Sequence, residues 1–413
     1  MPMHRLLRLL LITFIALVAL SKIEGLWPSR APKEPTVAIA NPHLTAFTRA
    51  YASFIESEME RTHTPGAAVV IVKDSSIVFI KGFGVKKAGG RDSVDTHTLF
   101  RIGSLSKGFA GVLAAQLEQE HYFDLEDPVL KFIPDFQLHS PEQTRRIRVR
   151  HLISHSIGLP YHTYTNLVES GEEVHTIAQK FRNVRLIGKE GEVFSYQNAA
   201  FSLIEEVIRQ TYGKSYSKAL EEKIFSKAGM KDASTSYEAI TASSNKALPH
   251  DGFDNDWVPT DITHKYYNTI AAGGVNASIA DMGQWLQLLL GNRPDIIGAA
   301  TLDKAFSPLV KTNNERRFFQ DWKGNKEAYY GLGWRIFQTD IGTVVYHGGY
   351  VNSYRGEIAI HPETKIGICV LVNGAGTMPG RVIPAFFEKY ASYIPSIQAW
   401  NPTGVQVKTL SEN

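Results

Sequence analysis

Two dense apolar runs near the start of the chain, Ala67–Val72 and Ile77–Ile80, find their counterparts only near its end, where GLGWRIF, TVVYHGG, GEIAIHP and IGICVLVN fall between residues 331 and 373. Runs this apolar read as strands buried on both faces, and the polar turn Lys73-Asp74-Ser75-Ser76 makes the first two a hairpin. Between the two groups the pattern is helical, clearest in AAFSLIEEVIRQTYG and ADMGQWLQLLLG, with long connections bearing proline and glycine. Strands at both ends with helices between predict an α/β (α+β) fold with a split sheet domain over 43–120 and 291–395 and a mostly helical domain inserted over 121–290. An amphipathic helix from Leu44 through Phe47, Tyr51, Phe54, Ile55 and Met59 should open the domain, and a second, Pro379–Tyr393, should close it before a tail over 396–413.

The 413 residues are 43% hydrophobic and 21% charged, which excludes a disordered chain, a collagen and a polytopic membrane protein. The 44 basic residues against 41 acidic are dispersed, so the chain offers no electrostatic footprint for nucleic acid. The single cysteine, Cys369, sits in an apolar run and reads as a small buried hydrophobe. Arg5 and Arg8 precede an apolar stretch from Leu9 to Leu20, too short for a spanning helix of about 20 residues and suited to an export signal. Residues 1–25 are therefore expected to be a signal peptide, or failing cleavage a membrane anchor, and the proline-bearing stretch 26–42 a linker. The expected location is outside the cytoplasm, in a bacterial host the periplasm or the outer side of the inner membrane.

A nucleophile is sought in Ser-x-x-Lys, where a lysine one helical turn beyond a serine takes the hydroxyl proton if its own pKa is lowered. The pattern occurs at Ser104/Lys107, Ser215/Lys218 and Ser243/Lys246, so context must choose. Ser104 follows the apolar stretch Leu99–Gly103 and opens a helix whose apolar stripe is Leu105, Phe109, Val112, Leu113 and Leu117, with Ser104, Lys107, Gly108 and Gly111 on the other side. The two glycines let other backbone come close, and a helix start favours a reactive hydroxyl. Ser215 and Ser243 lie in polar surroundings where serine starts helices and loops. Tyr-x-Asn, a phenol for proton transfer beside an amide, occurs at Tyr164, Tyr196, Tyr266 and Tyr350, and Tyr196-Gln197-Asn198, just before an apolar helix, has the best setting. His347-Gly348-Gly349-Tyr350 ends a strand, and its glycines expose backbone donors to a substrate.

In this order, and with TPGAAVVIV, FRIGSLSKGFAG, LEDPVLKFIPDF, RVRHLISHSIGLP, AAGGVNASIADM and YGLGW between and around them, the motifs resemble the serine β-lactamase and penicillin-binding-protein superfamily on its class C-like branch, which includes esterases, D-aminopeptidases and DD-peptidases. The resemblance implies a β-lactamase/transpeptidase-like fold, an antiparallel sheet packed by N- and C-terminal helices, with the active site in the cleft beside the helical domain. It implies Ser104 as acyl-forming nucleophile, Lys107 as its partner, Tyr196 as proton carrier and Asn198 as a ligand of the substrate amide. It places the oxyanion in the backbone N–H groups of Ser104 and Tyr350, with no metal or organic cofactor.

The sequence departs from many β-lactamases where they carry Lys-Thr-Gly, because His347 is mostly neutral at pH 7. His347 is expected to join the proton relay and tune substrate choice, with Arg355, eight residues on, as a replacement positive charge. The reading is an exported serine hydrolase acting through an acyl-enzyme on an ester, amide or peptide, D-amino-acid or peptidoglycan-derived. The alternatives are a class C β-lactamase and a non-catalytic penicillin-binding sensor. The expected partner is a small-molecule or peptide substrate, and the oligomeric state is left open. His151 and His155, four apart in HLISH, lack the glutamate a zinc peptidase needs and read as framework, as does Asn276-Ala277-Ser278.

Overall fold

A computed structural model describes residues 41–312 and 324–401. The expected signal or anchor, and the linker apart from its last two residues, lie outside them. Among the described residues no helix is long and apolar enough to cross a membrane.

Helix α1 (Pro42–Thr62) leads into strands β1 (Gly66–Lys73) and β2 (Ser76–Gly84), and helix α2 (Ser106–Gln119) follows a short helical turn at Gly103–Leu105. Short helices fill the middle of the chain, among them α3 (Asn198–Ser202), α4 (Ile204–Tyr212), α5 (Ile270–Gly273) and α6 (Ile279–Leu289). The remaining strands are β3 (Val310–Lys311), β4 (Asn325–Tyr330), β5 (Arg335–Thr339), β6 (Gly342–Val351), β7 (Tyr354–His361) and β8 (Ile366–Val372), and helix α7 (Pro379–Ala399) follows them. Helix α7 extends six residues past Tyr393, so 396–399, expected in the tail, are helical.

The eight strands form one sheet in the order β2-β1-β8-β7-β6-β5-β4-β3. Every pairing is antiparallel, and β1 lies between its hairpin partner and the last strand, with Ala67 opposite Val372 and Lys73 opposite Ile366. That position explains the unbroken apolar run. Ala68, Val70 and Val72 face the cluster shared with α2 and α6, while Ala67, Val69 and Ile71 face the layer of α1 and α7. Each fully buried valine there contributes roughly 1.5–3 kcal/mol of transfer free energy. β2, expected to be as buried, is half-exposed because it is the sheet edge, and Lys81 on it pairs with Glu56 at 2.9 Å. The terminal helices lock through aromatic edges, Phe47 on Phe386 at 5.2 Å and Tyr51 on Phe386 at 5.1 Å.

Helix α2 departs from the amphipathic expectation, for it is buried on every side from Ser106 to Leu117. Its two glycines make this burial compatible with close neighbours. A Cβ on Gly108 would lie 2.4 Å from the Trp334 ring, and one on Gly111 would lie 1.8 Å from the Leu332 carbonyl. The segment Tyr330–Trp334 thus rests against the face of α2 that carries Lys107.

Candidate active site

The turn bearing Ser104 is held from three directions. Ser106 Oγ donates to Gly103 O at 2.7 Å and accepts from Val275 N at 3.1 Å, while Ile102 N donates to Val275 O at 3.1 Å. Gly103 adopts a φ of +55°, and a Cβ there would meet Tyr350 N at 2.8 Å; one on Gly349 would meet Ile102 O at 2.2 Å. Only glycine at both places lets β6 lie against the Ser104 turn, which brings the backbone at Ser104 and at Tyr350 side by side.

Lys107 is completely buried. Its Nζ lies 2.8 Å from Asn198 Oδ1, 2.7 Å from Ala272 O and 3.2 Å from Ser104 Oγ. The first two oxygens can only accept, so they take two N–H bonds and leave the third position of the nitrogen toward the serine hydroxyl. Burial drives the amine well below the usual lysine range, and the nearby Arg335 guanidinium adds to the shift. In its neutral form Lys107 would present its lone pair to Ser104, the arrangement a general base requires.

Tyr196 is nearly buried, with Lys107 Nζ 4.7 Å from its ring centre and the Arg335 guanidinium 5.4 Å away. His155 supports the same ring at a centroid distance of 4.2 Å and accepts a bond from Gln197 N at 3.1 Å. The second histidine of HLISH thus positions the Tyr196-Gln197-Asn198 segment, and the first, His151, accepts Arg148 N at 3.0 Å at a helix start. Asn198 Nδ2 donates to Tyr266 Oη at 3.1 Å, and Tyr266 Oη donates to Glu169 at 3.2 Å. Asn276 is wholly internal and Ser278 caps α6, which fits their framework reading.

These groups surround a cleft of about 300 Å³ lined by Ser104, Tyr196, Asn198, Gly348, Gly349, Tyr350 and Arg355. The sequence reading brought those seven together. His347, like Lys107, is absent from the lining. It is completely buried, with Nδ1 2.8 Å from Gly348 O and Nε2 2.9 Å from Tyr330 Oη and 3.3 Å from Arg335. Gly348 O can only accept, so Nδ1 carries the proton and Nε2 receives its neighbours' donors. Burial, then Arg335 and Lys107, hold this imidazole neutral, well below the usual histidine range. The cation that reaches the cleft beside it is Arg335, the arginine inside the apolar run GLGWRIF. Arg355 also lines the cleft, but its Nε is bound to the buried Glu357 at 2.7 Å.

Tyr161, His162, Thr165, Glu169 and Tyr266 complete the wall. Tyr350 and Tyr161 are more than half exposed at its mouth. Signals existed for two groups of the cleft, a lone arginine in a strand-like run and a Tyr-x-Asn at Tyr266. Glu169 and Thr165 carried none, because only the folding of the middle segment brings them here.

A Beta-lactamase family model matches residues 52–390. Among solved structures, the octameric penicillin-binding protein homologue from Pyrococcus abyssi superposes with a TM-score of 0.71 at 27% identity, over 84% of this chain and 77% of that one. A class C beta lactamase from Rhodobacter sphaeroides gives a TM-score of 0.68 at 21% identity over 84% and 99%, a likeness of fold. Curated relatives include Protein flp of Staphylococcus aureus (strain MRSA252), 23% identical over 78% of this chain, and the Unguisins hydrolase ungD' of Aspergillus campestris, 24% identical over 78%. The chain spans 62% and 61% of those two proteins.

Proposed function

The chain belongs to the beta-lactamase family, with its serine-hydrolase fold, and on that premise we propose that it is an exported hydrolase forming an acyl-enzyme at Ser104. The substrate class is an ester, amide or peptide, D-amino-acid or peptidoglycan-derived. The observation that carries this reading is the three-way hold on the buried Lys107, whose Nζ lies 3.2 Å from the serine hydroxyl. Lys107 takes the proton as Ser104 Oγ attacks the carbonyl carbon. The backbone N–H groups of Ser104 and Tyr350 receive the oxyanion, and the proton passes from Lys107 to Tyr196, which gives it to the leaving group. Water then repeats the sequence on the acyl-enzyme.

One charged feature of the cleft bears on the substrate class, because Glu169, linked to Asn198 through Tyr266, is already paired with Lys265 at 3.0 Å. Arg335, beside Tyr196, suits a carboxylate. Arg335 favours a second reading as well, hydrolysis of β-lactams, which also carry a carboxylate. The relative described as an unguisins hydrolase lends weight to amide cleavage in general. Export rests on the apolar stretch Leu9–Leu20 behind two arginines.

The test is labelling with fluorophosphonate and fluorescent penicillin, then turnover of esters, D-amino-acid amides, D-alanyl dipeptides and a chromogenic cephalosporin. Turnover of esters and D-amino-acid amides is expected. Rapid cephalosporin turnover alone would move the assignment to a β-lactamase, and a stable penicillin adduct without turnover would make the protein a sensor. A fusion to a reporter active only outside the cytoplasm tests export, and a silent reporter on a stable protein would refute it.

A further inference from the structure

Tyr266 is 8% exposed and holds a left-handed backbone, φ +69°, which a tyrosine keeps only where its surroundings fix it. Three residues do so. The buried Arg101, three residues before the serine, donates to the carbonyls of Thr263 and Lys265, the second belonging to the peptide that enters Tyr266. A Cβ on Gly273 would lie 3.1 Å from the Tyr266 ring and one on Gly274 would lie 2.7 Å from its carbonyl, so the paired glycines of AAGGVNASIADM make room for this residue. The Tyr266 hydroxyl lies between Glu169 Oε1 at 3.2 Å and Asn198 Nδ2 at 3.1 Å.

The direction of these bonds follows from what each atom can do. A carboxylate only accepts, and the other Glu169 oxygen takes Lys265 at 3.0 Å, so the one phenolic hydrogen goes to Glu169. Burial, then the Glu169 carboxylate, push the phenol above the usual tyrosine range, so that hydrogen stays. Oη is left to accept, which draws the amide nitrogen of Asn198 to its side and sends Oδ1 to Lys107, 2.8 Å away. With the amide turned round, Nδ2 would donate to the lone pair of a neutral Lys107, and an amine N–H would then face Ser104 Oγ, the wrong sense for taking its proton.

We propose that Tyr266, oriented by Glu169, is a positioning residue for the Ser104 reaction: it sets the direction of the Asn198 amide and, through it, the face that Lys107 turns to the serine. The role rests on the acyl-enzyme reading of Ser104. It is felt in how fast Ser104 is modified and not in how tightly a compound binds.

The test is the rate of Ser104 modification by a fluorophosphonate in the full chain, resolved into the inactivation rate constant kinact and the binding constant KI. Tyr266→Phe keeps the ring on Gly273 and removes the hydroxyl, while Glu169→Gln keeps the size and supplies an N–H that lets the phenol turn its hydrogen to Asn198. Each should lower kinact by about tenfold or more with KI within about twofold of wild type. In the Tyr266→Phe background, Glu169→Gln should lower kinact by no more than about a further twofold, because the two act through one chain of bonds. Tyr267→Phe, which removes the hydroxyl that donates to the buried Asn276 at 2.7 Å, should lower Tm and leave kinact within about twofold of wild type. Unchanged kinact in Tyr266→Phe, a change confined to KI, independent losses in the double variant, or an equal fall in Tyr267→Phe would each overturn the positioning role. A wild type modified at another serine, or at none, would overturn the acyl-enzyme reading and the role with it, so the two failures are told apart.

Discussion

At Ser104 the lysine one turn onward is wholly buried and held by two carbonyl-type oxygens, so its third nitrogen position meets the serine. At Ser215 the same spacing gives a hydroxyl that accepts the backbone N–H of Lys218 at 3.3 Å, while the Lys218 ammonium is 56% exposed and near Glu222. One serine starts a helix and the other is set against an amine stripped of water. The difference teaches that the motif supplies reach and the surroundings supply reactivity, since an exposed ammonium keeps its proton and has no lone pair to offer.

The sharpest way to break this comparison is to exchange the serines. Ser104→Ala should lower hydrolysis by roughly 10⁴-fold or more and remove covalent labelling. An acyl adduct still detected by mass spectrometry on that variant would place the nucleophile elsewhere.

Lys107→Met should lower kcat by roughly 10²–10⁴-fold while raising Tm at neutral pH. The unfolded lysine binds a proton up to about pH 10.4 and the folded one does not, so wild-type stability should rise with pH between the depressed folded pKa and that value. The variant loses this slope, which thermal melts across pH would show. Activity of the wild type should fall as pH drops through the lowered Lys107 pKa, and His347, held below the usual range, should add no step near about 6.5. A histidine step there in the kcat/KM profile would contradict the buried, neutral imidazole.

Gly349→Ala puts a Cβ 2.2 Å from Ile102 O and should separate β6 from the Ser104 turn. A loss of about 10²–10³ in kcat, the scale of a displaced oxyanion donor, is expected, with labelling slowed in proportion. Arg335→Gln should change the ratio of kcat/KM for a carboxylate-bearing substrate to that for a neutral ester by about tenfold. Arg355→Gln should change it less, because Glu357 already binds that guanidinium. The smallest effect belongs to Ser215→Ala, with activity within twofold of wild type and a loss of about 1 kcal/mol from the missing helix cap, read from denaturant melts.

What the sequence made legible was local or chain-continuous. The choice of Ser104 rested on its apolar lead-in and its two glycines, and the strands at either end announced a sheet closed by distant segments. Arg335 was hidden because a charge inside GLGWRIF is informative only once β5 is known to run beside Tyr196 and His347. The burial of His347 was hidden for a related reason: strand position put it at the motif, but its partners Tyr330 and Arg335 come from the two strands before it. Glu169 and Tyr266 became neighbours of Asn198 only through the path of the middle segment, which no periodicity records.

The register of β1 has a consequence for how the molecule comes into being. Ala67 waits for Val372, about 300 residues later, and at about 5–20 residues per second that is roughly 15–60 s of synthesis with one long side of a wholly apolar strand unpaired. Nor can the serine turn acquire its facing wall before Tyr350 has emerged. A nascent chain of this design therefore cannot assemble its serine site from its first half alone, and the site is completed together with closure of the sheet.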